Sequence, residues 1–186
     1  MDICGEIFIE EEIAGAYLND GEAGLEIIIS RYSAALLRYC HSILCDYHDA
    51  QDAVQISFIK AYQARGKFKG GDKDLANFLY KIAYNSCIDI IRKRKSALEL
   101  LKNERVKSGK PDDYMPENIR NALDLLSALD RAVVYGHAVE ELKFAELARI
   151  HGKTAASLRK RYERARKKLS SILEKDYIKG GTNHEK

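Results

Sequence analysis

Between Lys153 and Lys168 eight cations (Lys153, Arg159, Lys160, Arg161, Arg164, Arg166, Lys167, Lys168) stand against a single acid, Glu163. Leu158, Tyr162, Ala165, Leu169 and Ile172 recur through this stretch at steps of four, three, four and three, the period of one buried helix face. The free face near the helix start then carries Ala155, Ala156, Arg159, Lys160 and Glu163. Thr154 is placed to cap the helix by accepting from a first-turn amide. Just upstream, Gly152 supplies the positive φ that ends a preceding helix, and the small Ala148, four residues earlier, lets two helices approach closely. Together these predict a helix-turn-helix whose second helix enters a DNA major groove N-terminal end first. The alanines admit close approach, and Arg159 or Lys160 reaches base edges or phosphates. A bidentate arginine–guanine contact contributes about 1–3 kcal/mol of discrimination. The competing reading, a solvated basic helix, is disfavoured because turn, cap and apolar stripe are all in phase.

A second constellation lies in the first half of the chain. Asp49-Ala-Gln-Asp-Ala-Val-Gln-Ile-Ser-Phe-Ile-Lys-Ala-Tyr62 reads as an amphipathic helix with Ala50, Val54, Phe58 and Ala61 inward. Its outer face offers Asp49, Asp52, Gln55, Ile56 and Ile59. Apolar residues among acids on an outward face point to a protein partner, or else to packing on the first helix of the chain. A loop, Gly66 to Lys73, holds Phe68. After it comes a helix with two apolar rows, Leu79, Ala83, Ser86 and Ile90 beside Tyr80, Tyr84, Cys87 and Ile91. That breadth predicts a helix central to its bundle, with the narrow stripe Lys81, Asn85, Ile88, Asp89 and Arg92 left to meet a ligand. Plainer readings stand beside these: Phe68 as a loop anchor, Asn85 facing water, and Arg92 to Lys95 as a solvated helix end whose cations suit the helix dipole.

Other chemistry finds little support. Cys40, His41, Cys45 and His48 invite a zinc reading, but Cys40 and Cys45 are five apart, on different faces of a helix, and no CxxC pair anchors the set. No glycine-rich phosphate loop, nucleophile–base pair or carboxylate dyad stands out. The expectation is a protein that binds and does not catalyse, with no metal and no cofactor.

These residues need positioning by helices, and the composition supplies them. Of 186 residues 46% are hydrophobic and 32% charged, and there are only two prolines. The expected fold is all-α, as two small helical domains. Both prolines, Pro111 and Pro116, lie in the polar, aperiodic stretch Lys107 to Glu117, which reads as a linker. The boundaries expected are 1–98 for the first domain, 99–116 for the linker, 117–178 for the second domain and 179–186 for a frayed tail. Predicted helices run from about Ile7 to Leu18, Glu22 to Leu44, Asp49 to Arg65 and Asp74 to Lys95. In the second domain they run from Glu117 to Tyr135, Phe144 to His151 and Thr154 to Tyr177.

Net charge is only +3, but eight acids precede the first basic residue, Arg31. An acidic head and a basic far end suit a polyanion at the latter. The acidic N-terminus and the lack of any apolar run near the roughly 18–20 residues of a membrane span predict neither leader nor anchor. Four cysteines without scaffold density fit a reducing cytoplasm.

Taken together, Asp49 to Tyr62, Phe78-Leu-Tyr-Lys-Ile-Ala-Tyr-Asn-Ser-Cys-Ile-Asp89 and Arg92-Lys-Arg-Lys95 resemble region two of the extracytoplasmic-function sigma factors. Leu126 to Leu169, with Leu142-Lys-Phe-Ala-Glu-Leu-Ala148 and Arg161-Tyr-Glu-Arg-Ala-Arg166, resembles their region four. The resemblance implies a transcription initiation factor with core RNA polymerase (beta-prime clamp and beta flap) and promoter DNA as partners, and often an anti-sigma factor. It implies polymerase docking through Asp49, Asp52, Val54, Gln55, Ile56 and Ile59. Minus-ten contacts would fall to Phe68, Lys81, Asn85, Asp89, Arg92 and Arg94, with Phe68, Asn85 and Asp89 holding a flipped base. Minus-thirty-five contacts would fall to Thr154, Ala155, Ala156, Ser157, Arg159, Lys160, Arg161 and Arg164. Departures from the family pattern include Phe78 for a tryptophan, Lys81 for an arginine, Gln51 and Ile56 for acids, and Lys143 for a capping hydroxyl. His151-Gly-Lys replaces a more apolar Leu-Gly-Ile, and Leu126-Ser-Ala replaces Leu-Pro-Glu. A free-standing regulator using only the helix-turn-helix is the alternative.

Overall fold

The computed structural model describes residues 13–100 and 115–181, with side chains through Ala97 and Glu174 respectively. The expected helix start at Ile7, Cys4, most of the linker and the end of the tail lie outside the described residues. The elements are α1 (Ile13–Asn19), α2 (Gly21–Leu44), α3 (Tyr47–Ala64), a short 3-10 turn (Arg65–Lys67), α4 (Asp72–Leu100), α5 (Glu117–Asp124), α6 (Ala128–Ala138), α7 (Phe144–His151) and α8 (Ala155–Gly181). No strand occurs among the described residues.

Helices α1 to α4 form one bundle. Ile28, Leu36 and Tyr39 of α2, Ala50, Ala53 and Ala61 of α3, and Leu75, Leu79, Ala83 and Cys87 of α4 are closed off from solvent. Starts and stops follow local chemistry. The Asp46 carboxylate accepts from the Asp49 amide at 3.0 Å and opens α3 two residues before the sequence predicts. Cys45 adopts φ 53°, with its amide donating to the His41 carbonyl, and ends α2. Helix α4 starts at Asp72 because the Gly71 carbonyl accepts from both Asp74 and Leu75, and it runs on past Lys95.

The predicted helix from Glu117 to Tyr135 is two helices. Its apolar spacing continues through Leu126 and Leu129, yet the backbone breaks at Leu125 to Ser127. The Leu126 amide turns back to the Leu123 carbonyl at 2.8 Å, and Ser127, extended at ψ 155°, caps α6 by accepting from Asp130. A serine able to satisfy a free helix-start amide outcompetes continuation. Arg161 of α8 ties this corner down, donating to the Asp130 carboxylate at 2.7 Å and reaching the Ser127 hydroxyl at 3.5 Å. Ser127→Ala is expected to cost about 1 kcal/mol, read as a lower thermal midpoint with the helical circular-dichroism signal retained.

The second module has its own small core of Val133, Leu147 and Leu158, flanked by Leu129, Leu142, Phe144 and Tyr162. Gly136 lets α7 close onto α6, since a Cβ there would lie 2.9 Å from Leu147 Cδ2. Gly152 holds φ 62° and ends α7, its amide donating to the Ala148 carbonyl.

The two modules also pack on each other. Ala132 of α6 and Ile150 of α7 are buried within the core of the first bundle. Along α2, Tyr39 meets Tyr135 at a ring separation of 6.3 Å, and Arg131 donates to Cys45 Sγ at 3.2 Å. Along α4, the Tyr80 hydroxyl donates to Glu140 at 2.8 Å, Tyr84 lies 4.5 Å edge-on from the His151 ring, and Asp74 pairs with Arg149 at 3.6 Å. Tyr80 and Tyr84 of the second apolar row of α4 thus face the other module, while Cys87 of that row stays inside the first bundle. None of the described helices is long and apolar enough to cross a membrane.

Candidate nucleic-acid interface

Thr154 caps α8 as expected, its hydroxyl accepting from the Ser157 amide at 3.2 Å. Lysine has no acceptor to cap α7 from Lys143, so Glu146 closes that end alone, accepting from the Lys143 amide at 2.7 Å. The α8 face expected to read DNA is open: Ala156, Ser157, Arg159, Lys160 and Arg164 are exposed and Ala155 is half-buried. The Arg159 guanidinium lies over the Phe144 ring at 5.3 Å, a cation–π contact that rests the head of this exposed side chain on the first helix of the motif. Arg164 donates to the Lys160 carbonyl at 3.4 Å. Arg161 stands apart. Its guanidinium is committed to Asp130 and Ser127, so in this conformation it positions α8 and offers DNA little.

In the first module the polar stripe of α4 is present as a face. Lys81, Asn85 and Arg92 are exposed, while Asp89 is half-buried. Asp89 is held by Lys60 at 3.1 Å and by Arg92 at 3.6 Å. Lys60 also approaches the Ser86 hydroxyl at 3.4 Å. Sequence reasoning missed Lys60, which lies on the helix read as a docking element. The available signal was that it is the only lysine or arginine between Tyr47 and Ala64.

Three expected residues sit differently from their assigned tasks. Phe68 is only 8% exposed, edge-on to Tyr17 at 5.9 Å and tilted on Phe78 at 5.3 Å. It anchors the loop and presents no free face to a base in this conformation. The Tyr17 hydroxyl, donating to the Ala61 carbonyl at 2.6 Å, is pushed up to about 12 by burial, against a smaller pull from Arg65. Arg94 reaches across to α3, pairing with Asp46 at 3.0 Å and with Asp49. Its charge is neutralised there and is not aimed outward with Arg92. Val54 is 8% exposed and belongs to the core, behind the outer face of α3.

The rest of the α3 outer face is available. Asp52 and Gln55 are exposed, Ile56 is half-buried, and Ile59 is 58% exposed, the most exposed of the large apolar side chains described. Packing against α1, the alternative reading of this face, does not cover Ile59. Asp49 is partly withdrawn from it: burial raises its carboxyl above the usual range, with Arg94 opposing. Among the described residues no three His, Cys, Asp or Glu side chains gather as a metal site would need.

Residues 28–97 match the sequence profile of sigma-70 region 2, and residues 117–169 that of sigma-70, region 4. The chain is 27% identical over 158 residues to the RNA polymerase sigma factor SigV of Bacillus subtilis (strain 168), covering 83% of this chain and 94% of that protein. It is 26% identical over 185 residues to the ECF RNA polymerase sigma factor SigW of the same organism, covering 90% and 98%. Among solved structures, the sigma factor RpoE in complex with the anti-sigma factor NepR from Bartonella quintana superposes with a TM-score of 0.69 at 23% identity, covering 80% of this chain and 96% of that one. CnrH in complex with the cytosolic domain of CnrY gives a TM-score of 0.69 at 24% identity, covering 90% and 98%. At these identities the structural likeness speaks to the fold.

Proposed function

The chain belongs to the sigma-70 family of transcription initiation factors, in its extracytoplasmic-function group, and from that premise we propose a division of labour among its residues. As a sigma factor it binds core RNA polymerase and directs it to specific promoters; nucleotide addition is left to the polymerase, and the chain works in the cytoplasm. Helix α3 docks on the polymerase through Ile56 and Ile59, flanked by Asp52 and Gln55. The α4 stripe of Lys81, Asn85, Asp89 and Arg92 takes the minus-ten element, with Asn85 and Asp89 offering amide and carboxylate edges to an unstacked base. The N-terminal turns of α8 take the minus-thirty-five element through Ala156, Ser157, Arg159, Lys160 and Arg164. The observation that carries this reading is that Lys81, Asn85 and Arg92 on α4, and Ala156, Ser157, Arg159, Lys160 and Arg164 on α8, stay exposed while the apolar faces behind them are packed.

The closed arrangement adds a physical requirement. Elements ten and thirty-five base pairs upstream are about 85 Å apart at roughly 3.4 Å per base pair. Modules in direct contact along α2 and α4 cannot reach both. A segment the length of residues 101–116, fully extended, would span at most about 53–58 Å, which together with the widths of the modules suffices once the seam opens. The seam withholds function through spacing, without covering either face.

The deciding experiment is initiation in a purified system. The full chain should co-elute with core polymerase and direct transcripts from a limited promoter set. Tight binding to duplex DNA as a dimer, with no polymerase association, would instead identify a free-standing regulator. Within the minus-thirty-five contact, Arg159→Ala or Lys160→Ala should weaken binding and lower the slope of log affinity against log salt by about 0.9 per lost phosphate contact. An unchanged slope in both would move the reading face elsewhere on α8.

A further inference from the structure

We infer that His151 makes the seam between the modules sensitive to acid: protonating its ring drives the closed arrangement open. His151 ends α7 at the turn of the helix-turn-helix and lies half-buried against α4 of the other module, edge-on to Tyr84 at 4.5 Å, with both ring nitrogens closed off from solvent. Neither ring nitrogen has a hydrogen-bond partner. A neutral imidazole tolerates that place as a flat, largely apolar plug. An imidazolium carries two N–H donors and a charge, and the site offers neither an acceptor nor a counter-ion.

The groups around it leave the conclusion standing. From α4 comes Tyr84; Arg161 of α8 and Asp130 of α6 approach Tyr84 but spend their charges on each other at 2.7 Å. On the same seam Asp74 and Arg149 are paired at 3.6 Å. Burial alone lowers the His151 ring from 6.5 to about 4. The sign follows from linkage. The closed form binds this proton more weakly than the open form, so closure is fully favoured above about 6.5. That preference is lost progressively as pH falls toward 4. Between pH 7.5 and 5.5 the ratio of open to closed chain rises about tenfold.

The seam is suited to giving way. Tyr39, fully buried beside Tyr135, has a hydroxyl without a hydrogen-bond partner, and unpaired buried polar groups of this kind weaken a contact. That opening activates the chain rests on the functional reading above; the opening itself does not.

Cys45 is the native reporter. Its thiol is buried under Arg131 at the α2–α6 contact, so its rate of reaction with dithiodipyridine, divided by that of the denatured chain at the same pH, measures opening. In the full chain carrying Cys4→Ser, protection of Cys45 should fall about tenfold from pH 7.5 to 5.5. Cys40 and Cys87, inside the first bundle, should stay protected, which separates opening from unfolding. His151→Leu should leave Cys45 protection flat over the same range. An equal fall in that variant, or no fall in the parent, overturns the inference. So does a His151 ring that titrates near 6.5 by NMR in the full chain, a readout needing no substitution. No polymerase enters either measurement, so failure here leaves the functional assignment intact.

Discussion

Ile59→Glu is expected to weaken association with core polymerase by about 30- to 1,000-fold, the 2–4 kcal/mol range of an interface hot spot. The side chain is 58% exposed on the outward face of α3, beside Ile56 and among polar neighbours. In a docked complex it becomes an apolar plug, and a carboxylate in its place would be buried without a partner. The fold has little stake in it. Glutamate is at least as good a helix former as isoleucine, and exposed substitutions usually stay within about 0.5 kcal/mol. Binding measured by fluorescence anisotropy should therefore collapse while the melting curve is unchanged. If affinity is retained, the docking surface lies off α3.

The second large effect separates two tasks for one ring. Phe68→Ala is expected to destabilise the first module by about 3–5 kcal/mol, the cost of emptying a buried aromatic site. Phe68 closes the 65–72 corner against Tyr17 and Phe78, and Tyr17 in turn binds the end of α3. Were the ring chiefly a stacking platform for a base, its loss would cost about 1–3 kcal/mol in DNA binding and little in folding. Phe68→Leu sharpens the contrast, because leucine refills most of the volume and offers no π face. Urea unfolding of both variants, beside promoter affinity of the holoenzyme, reads the two contributions separately. A loss of DNA affinity with full stability in both would return Phe68 to the reading face.

What the sequence could express was what depends on neighbours along the chain. The face of Leu158, Tyr162, Ala165, Leu169 and Ile172, the Thr154 cap and the Gly152 turn are all local, and all stand where the spacing puts them. The break at Ser127 was harder, because Leu126, Leu129 and Val133 keep a helical period across it; only the capping chemistry of serine betrays the interruption. Residue assignments suffered where charge pairs form between elements. Nothing local tells that Arg94 turns toward Asp46 and Asp49, or that Arg161 clasps Asp130 while Arg159 and Lys160 stay exposed. Val54 was carried to the docking face by a motif, although its own spacing with Ala50, Phe58 and Ala61 put it inward. The seam left a trace, since two apolar rows on α4 exceed what one small bundle needs. Periodicity could count the surplus row without saying that Tyr80 and Tyr84 would meet a second module.

That seam also governs how the protein behaves among the vast excess of DNA that is not promoter. Closed, the chain is two separate, monovalent readers, each weak, at a spacing that fits no single site. Opened, the second contact becomes intramolecular, and a tether of this kind supplies an effective concentration on the order of millimolar. Avidity is therefore absent until the modules part. A chain that has not been opened samples and leaves scattered half-matches, and residence time is reserved for a site that engages both ends at once.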